Sequence, residues 1–491
     1  MRGRLAAGAL LFVVLATANS GGYRYGVSDQ AFYQPAVVAA LDADAFPRDR
    51  RLLDTQTGLL LSDDLLAAAS RVTGASLPAV FFAVYLLSGL ALFVAAVAFG
   101  RALGFGGWAT TAFVLLLTFR HRIARTGANS LEGYMHPRMF AFAFGALALA
   151  AVARRRFGLA VLGVAAAAVW HPTTALWFGV AVAAAAVASR PDRWRLWLGL
   201  GATAGVAAIW ALVAGPLAGR LVVMDPEWLS VIEGKDYLFP TDWPLYAWVL
   251  NLLYPVVIVA MLRQRARAGV AAPGERALVA GLLTLVLVWA VSVPLTWMKL
   301  AVAVQFQVTR VFWLLDFVTA GLVAWWLVEG APWRGRRAGA MVVAVLAAAS
   351  TGRGVFLLTV EAPERRLVQV DLPDTPWIDA LRWLRGQPKS WQILADPEHG
   401  WKYGVSARVG AERDTVLETG KDTAMAMYDR AMAMRVRDRL AALTDFPSRS
   451  TSEIAVLARR FDADVVIAAA DHPLALPELY RNAGFVVYAA R

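Results

Sequence analysis

What most constrains this chain is a recurrence. Apolar stretches alternate with short breaks rich in Arg, Pro or Gly along the first three quarters of the sequence. A hydrocarbon core about 30 Å thick is crossed by roughly 20 helical residues. Eleven spans are read on this basis, at 5–19, 77–99, 106–119, 138–153, 157–171, 173–188, 196–214, 245–262, 275–293, 308–328 and 338–358. Composition agrees: 59% of residues are hydrophobic and 17% charged, against about 45–50% and about 25% in soluble domains. Disordered, fibrous and plain soluble classes are excluded, leaving a polytopic α-helical membrane protein. The first span follows Arg2 and Arg4 in the manner of a secretory signal. No small-residue cleavage site follows it, so it is read as a retained anchor.

The net charge of +12 would suggest nucleic acid if it were spread evenly. It is not: the stretch from Glu361 onward is near neutral, and the excess of Arg lies among the apolar spans. Arg101, Arg154–Arg156, Arg190/Arg193/Arg195, Arg263/Arg265/Arg267 and Arg334/Arg336/Arg337 recur at every second break. The positive-inside rule puts those breaks and the N-terminus in the cytoplasm, and an odd number of spans puts the C-terminus outside. The longer connections, 20–76, 119–137, 215–244 and the stretch near 294–307, then face outward. There is no Cys, which removes disulfides and thiolate chemistry.

The expected division is a multi-spanning domain over 1–360, with a large first external loop at 20–76, and an external α/β domain over 361–491. In the latter, helices are expected at Trp377–Arg385, Thr423–Leu443 and Ser450–Phe461. Strands are expected at Trp391–Ala395, Arg413–Glu418, Asp464–Ala469 and Val486–Ala489, forming a mainly parallel sheet. No glycine-rich phosphate fingerprint opens a helix there. No internal repeat suggests the paired halves of many transporters.

Ionisable groups at a membrane are costly and invite a functional reading. Asp29, in Tyr25-Gly-Val-Ser-Asp-Gln-Ala-Phe-Tyr33 just after the first span, has the chemistry of a general base; the alternative is that Ser28 or Asp29 is the N-cap of a helix at Ala31–Leu41. Arg120, Arg122 and Arg125 crowd an external loop against the pattern that orients the rest of the chain, and Glu132, His136 and Arg138 follow. Guanidinium forks suit phosphate oxygens, whereas headgroup attraction or pairing with the acidic first loop is the plainer reading. His171, in Trp170-His-Pro-Thr-Thr174, is either a phosphate donor or an incidental member of a capped turn. Lys299 and Arg310 flank the start of the tenth span, as a phosphate clamp or as snorkelling cations. Acidic and aromatic residues alternate along 215–244, from Asp225 to Trp243, a mix that suits a lid or sugar platform. No metal-ligand spacing is present.

This arrangement resembles the GT-C superfamily of membrane glycosyltransferases, in the topology of 1–360 and in Ser28-Asp29-Gln30, where that family places its catalytic carboxylate. Arg310, leading a late helix, resembles its carrier-phosphate ligand. The paired acidic residues frequent in that family's first loop have no clear counterpart; Asp42/Asp44 and Asp63/Asp64 are paired but far along the chain from the span. The resemblance implies transfer of a sugar from a polyprenyl-phosphate carrier to a cell-envelope acceptor with inversion. Asp29 would be the base, with Glu132 as the second catalytic candidate. Arg310, Lys299, His171, His136, Arg138 and the Arg120–Arg125 cluster would hold phosphate. No cofactor is implied; a divalent cation at Asp29 and Glu132 would be called for only by a pyrophosphate donor. The Ala-, Arg- and Val-rich usage points to a bacterial inner membrane with a periplasmic C-terminal domain. Transport of a lipid-linked saccharide and a non-enzymatic envelope-assembly role are the alternatives.

Overall fold

A computed structural model of the chain describes residues 2–58, 60–333 and 335–490; Met1, Leu59, Arg334 and Arg491 lie outside it, as do the side chains of Arg2, Arg4, Gln56 and Thr57. Arg334, one of the orienting cations, and the side chains of Arg2 and Arg4 before the first span therefore fall outside the described residues. The chain packs into two compact units that interleave along the sequence. One comprises Met1–Tyr23, Ala83–Val223 and Asp236–Val368; the other comprises Arg24–Phe82, Met224–Lys235 and Gln369–Arg491.

The first unit is helical. A helix stands at each expected span: Arg2–Asn19, Leu77–Ala102, Gly107–Leu116, Pro137–Ala153, Phe157–Trp170, Pro172–Ser189, Trp194–Val213, Leu245–Arg267, Glu275–Trp297, Val311–Trp325 and Arg336–Phe356. Among the described residues, seven helical stretches are long and apolar enough to cross a membrane, and four shorter apolar helices accompany them. The chain is a multi-pass membrane protein. Burial is graded across the helices. The stretch Ala301–Gly330 is 78% buried over its most apolar window, whereas Pro191–Val213 is 0% buried. A helix apolar on every side is either a core element or a lipid-facing one, and this unit contains both extremes.

Close helix crossings use small residues, as expected where lipid tails give no hydrophobic advantage to protein contact. A Cβ at Gly145 would collide with the Phe178 ring, and one at Gly281 with the carbonyl of Ala181. These glycines bring Pro137–Ala153 and Glu275–Trp297 against Pro172–Ser189. Arg265, expected as one of the orienting loop cations, is instead buried. Its Nε donates to Glu275 Oε1 at 2.6 Å, and its guanidinium lies 4.6 Å from the Trp325 ring centroid.

The second unit is α/β. Its sheet comprises β1 (Gln392–Leu394), β2 (Asp414–Thr415), β3 (Val465–Ala469), β4 (Glu478–Arg481) and β5 (Phe485–Ala489), in the order β2-β1-β3-β5-β4. The first three are parallel, while β3–β5 and β5–β4 are antiparallel. The sheet is therefore mixed rather than mainly parallel, because β4, unexpected from sequence, turns back tightly on β5. The expected long helix over Thr423–Leu443 is broken into Thr419–Met425 and Arg430–Ala442. Asp429 interrupts it by capping the second piece through the N–H groups of Ala431 and Met432.

The first loop packs into this α/β unit rather than standing apart from it. Arg408, fully buried, donates from Nε to Asp49 at 2.8 Å and from Nη1 to Asp422 at 2.6 Å; Asp49 also accepts from Arg435 at 2.6 Å. Trp228 is pinned by its indole N–H on the Ala426 carbonyl at 2.8 Å. These ties bring 24–82 and 224–235 onto 369–491.

Candidate active site

The polar heart of the first unit is built on two His-Pro pairs. His136 precedes Pro137 and opens a buried helix, and His171 precedes Pro172 and opens a partly buried one. Proline at the first helical position has its φ preset and no N–H to leave unsatisfied. The histidine before it is extended (φ −136° and −158°) and serves as N-cap. His136 Nδ1 accepts the Arg138 N–H at 3.2 Å; His171 Nδ1 accepts the Thr174 N–H at 3.2 Å, with the Thr174 hydroxyl 3.0 Å away. A ring nitrogen that accepts is unprotonated, so the neutral ring carries its proton on Nε2. Both caps thus present N–H donors at the positive ends of helices.

Their ring centroids are 6.3 Å apart, and both residues are buried. His136, Arg310 and Arg138 all lie within electrostatic reach of His171. That electrostatic coupling ties Arg310 and Arg138 to the same locus. The Arg138 guanidinium also lies 5.9 Å from the ring centroid of Trp313, which stacks on Phe142 at 4.0 Å. Arg310 immediately precedes the helix Val311–Trp325, so a third helix start adds its dipole.

Glu132 supplies the counter-charge. Its side chain is 1% exposed and accepts from Arg120 at 3.0 Å, from Asn129 at 3.2 Å and from Arg138. Both carboxylate oxygens are engaged by these donors, which fits a residue that holds two arginines in place and leaves little room for a cation. Arg120, Glu132, His136, Arg138, His171 and Arg310 therefore form one connected group. The remaining candidates go elsewhere. Arg122 is exposed, and Arg125 pairs with Asp236 and donates from Nε to the Tyr246 hydroxyl at 3.1 Å. Lys299 places its ammonium 4.0 Å from the Phe239 ring centroid.

Asp29 belongs to the second unit. It stands at the N-cap position of Gln30–Leu41 but makes no capping side-chain bond. Instead its Oδ1 accepts from Lys421 Nζ at 2.6 Å. Lys235 is close enough to feel both charges; burial and the Lys421 ammonium lower its pKa, and Asp29 opposes them. The capping reading of Asp29 thus gives way to an ion pair with a lysine that no sequence pattern indicated.

One buried pair was missed. Asp316, in the second turn of Val311–Trp325, accepts from His121 Nδ1 at 2.9 Å, while His121 Nε2 lies 3.1 Å from the Leu116 carbonyl. Tyr254 sits beside the same carboxylate. The signal was available: an acid within a span is expensive, and His121 lies inside the arginine cluster already singled out.

No family model matches the chain, and no curated protein does. Its fold does match solved structures. The archaeal oligosaccharyltransferase AglB from Archaeoglobus fulgidus, solved with an inhibitory peptide and a dolichol-phosphate, aligns over 95% of this chain and 69% of its own, with TM-score 0.52 and 12% identity. The arabinofuranosyltransferase AftD from Mycobacteria aligns over 98% of this chain and 36% of its own, with TM-score 0.46 and 19% identity. Over the length of the first of these alignments, this chain is similar in fold to that archaeal oligosaccharyltransferase.

Proposed function

We propose that this protein is an inverting glycosyltransferase that takes a sugar from a polyprenyl-phosphate carrier and passes it to an envelope acceptor at the outer face of a bacterial inner membrane. In this reading the N-terminus is cytoplasmic and the α/β unit is external. The observation that carries it is the convergence of His136, Arg138, His171 and Arg310 on three helix starts in the first unit. Fixed donors and cations in a water-poor site stabilise charge that grows on a leaving phosphate, and they need not reorganise as it does. The fold match supports the same reading, since AglB was solved with dolichol-phosphate.

In the reaction, an acceptor hydroxyl oxygen attacks the anomeric carbon as the bond from that carbon to the phosphate oxygen breaks. The electron pair leaves with the polyprenyl phosphate, where Arg310, Arg138 and the two Nε2–H groups receive it. The resemblance noted for Ser28-Asp29-Gln30 gives the role of proton acceptor to Asp29, which is ion-paired with Lys421 in the resting chain. Glu132 holds Arg138 and Arg120 in position. With a monophosphate donor these cations supply the positive charge, and no metal is required.

The test uses purified protein in nanodiscs with radiolabelled polyprenyl-phosphate sugars and a membrane lipid extract. Transfer or sugar release by wild type, lost in folded Asp29→Asn and Arg310→Ala, supports both roles. Turnover that survives Asp29→Asn removes Asp29 as base. No turnover with any donor, beside saturable binding, favours transport or assembly.

A further inference from the structure

The α/β unit holds a cavity that the transfer chemistry does not use. It measures about 330 Å³ and is lined by Trp377, Tyr403, Phe446, Phe485, Asp396, Asp471 and His472 among others. Its position follows from topology. Asp396 comes directly after β1, while Asp471 and His472 come directly after β3. The chain leaving β1 goes to β2 on one side of the sheet; the chain leaving β3 goes to β4 and β5 on the other. Adjacent parallel strands whose connections diverge leave a crevice beyond their carboxyl ends, and ligands of open α/β sheets bind there.

The walls are specific in chemistry. Trp377, Tyr403 and Phe485 pack edge and face, with centroid separations of 5.0, 5.1 and 4.8 Å, which fixes an aromatic surface. Asp396 is already paired with Lys402 at 2.6 Å. Asp471 and the Tyr403 hydroxyl have no ion pair or side-chain hydrogen bond among the described residues. His472 Nε2 lies 3.0 Å from the Arg449 carbonyl, so Nε2 carries the proton and Nδ1 remains an acceptor. The cavity therefore offers acceptors beside apolar ring faces, and asks for a ligand with hydroxyl donors on its edge and C–H groups on its face.

We infer that this cavity is a binding site for a neutral saccharide unit, separate from the transfer site; the choice of saccharide over other hydroxylated rings rests on the glycosyltransferase reading above. Its volume is at the lower end of small-ligand pockets, about 300–1,000 Å³, which suits one or two sugar rings. The site would give the external unit a hold on a glycan acceptor or product.

The experiment is saturation-transfer NMR on the full chain in nanodiscs, with neutral pentoses, hexoses and their disaccharides as probes and choline as an ammonium control. Saturable binding of a neutral sugar is expected, with saturation received on ring C–H protons. Asp471→Ala, at an exposed position that leaves the fold intact, is expected to weaken it about tenfold or more, and Tyr403→Phe to weaken it by less. Absence of saturable binding, equal affinity in both variants, or binding of choline alone would overturn the inference. The transfer assay on the same samples separates the two readings. Transfer without sugar binding removes only this site; sugar binding without transfer removes only the enzymatic reading.

Discussion

His136 and His171 stand 6.3 Å apart, ring centre to ring centre, each capping a different helix through Nδ1. The cap settles the tautomer, and the tautomer settles the chemistry. Each neutral ring carries its proton on Nε2, and Arg138 and Arg310 lie within electrostatic reach of His171. In the proposed reaction, the same residue that starts each helix also contributes to the anion site.

Removing Glu132 should strand two guanidinium groups in a buried site. Glu132→Gln is expected to cost about 3–5 kcal/mol, the range for breaking a buried pair from one side. Glu132→Gln with Arg138→Met should cost less than the two single changes combined, because no unpaired charge then remains on that side. Additive losses in the double-mutant cycle would show that the pair does not interact.

The pair of His121 and Asp316 makes stability depend on pH. Although burial lowers the His121 pKa, the hydrogen bond and charge of Asp316 outweigh it and leave the pKa raised. Its stabilisation is thus fully present below about pH 6.5 and is lost as pH rises through the raised folded value. Asp316→Asn should lower stability by about 1.5–3 kcal/mol at acid pH and by less at alkaline pH. A pH-independent loss, measured by chemical unfolding in detergent, would assign Asp316 a packing role instead.

In the α/β unit, Asp49 is held at a pKa of about 2; burial acts against this, and the charges of Arg408 and Arg435 with the Thr415 N–H overcome it. A depressed carboxylate stabilises the fold above its unfolded value, about 3.9, and the contribution disappears as pH falls towards 2. Asp414 beside it is raised to about 6 by burial and by Asp49, so its contribution runs the other way and is lost as pH rises through 6. Arg408→Met should expose the loop 24–82 and the strand at Asp414 to hydrogen exchange together. Protection retained in either segment would show that Arg408 does not join them.

Much of the first unit was legible because membrane helices write their length and apolarity directly into sequence. Each of the eleven expected spans coincides with a helix, and the arginine loop was identified by its violation of the charge pattern. The grouping of Arg120, Glu132, His136, Arg138, His171 and Arg310 was only partly legible. Residue type marked all six, but so did it mark Arg122, Arg125 and Lys299, which turn to solvent, to Asp236 and to Phe239.

The class of fold, the places where helices start, and the inventory of charges that a membrane would not tolerate without cause are written in the linear chain. Those depend on hydrophobic transfer and local backbone chemistry, which act over a few turns of chain. The partners emerge only when the chain is packed. Packing paired Asp29 with Lys421 across nearly four hundred residues, Arg408 with Asp49, and Asp316 with His121. It also set Asp396 and Asp471 beside one cavity. Such pairings follow from which strands and helices pack, and electrostatic attraction falls off with distance in space, not with separation along the chain.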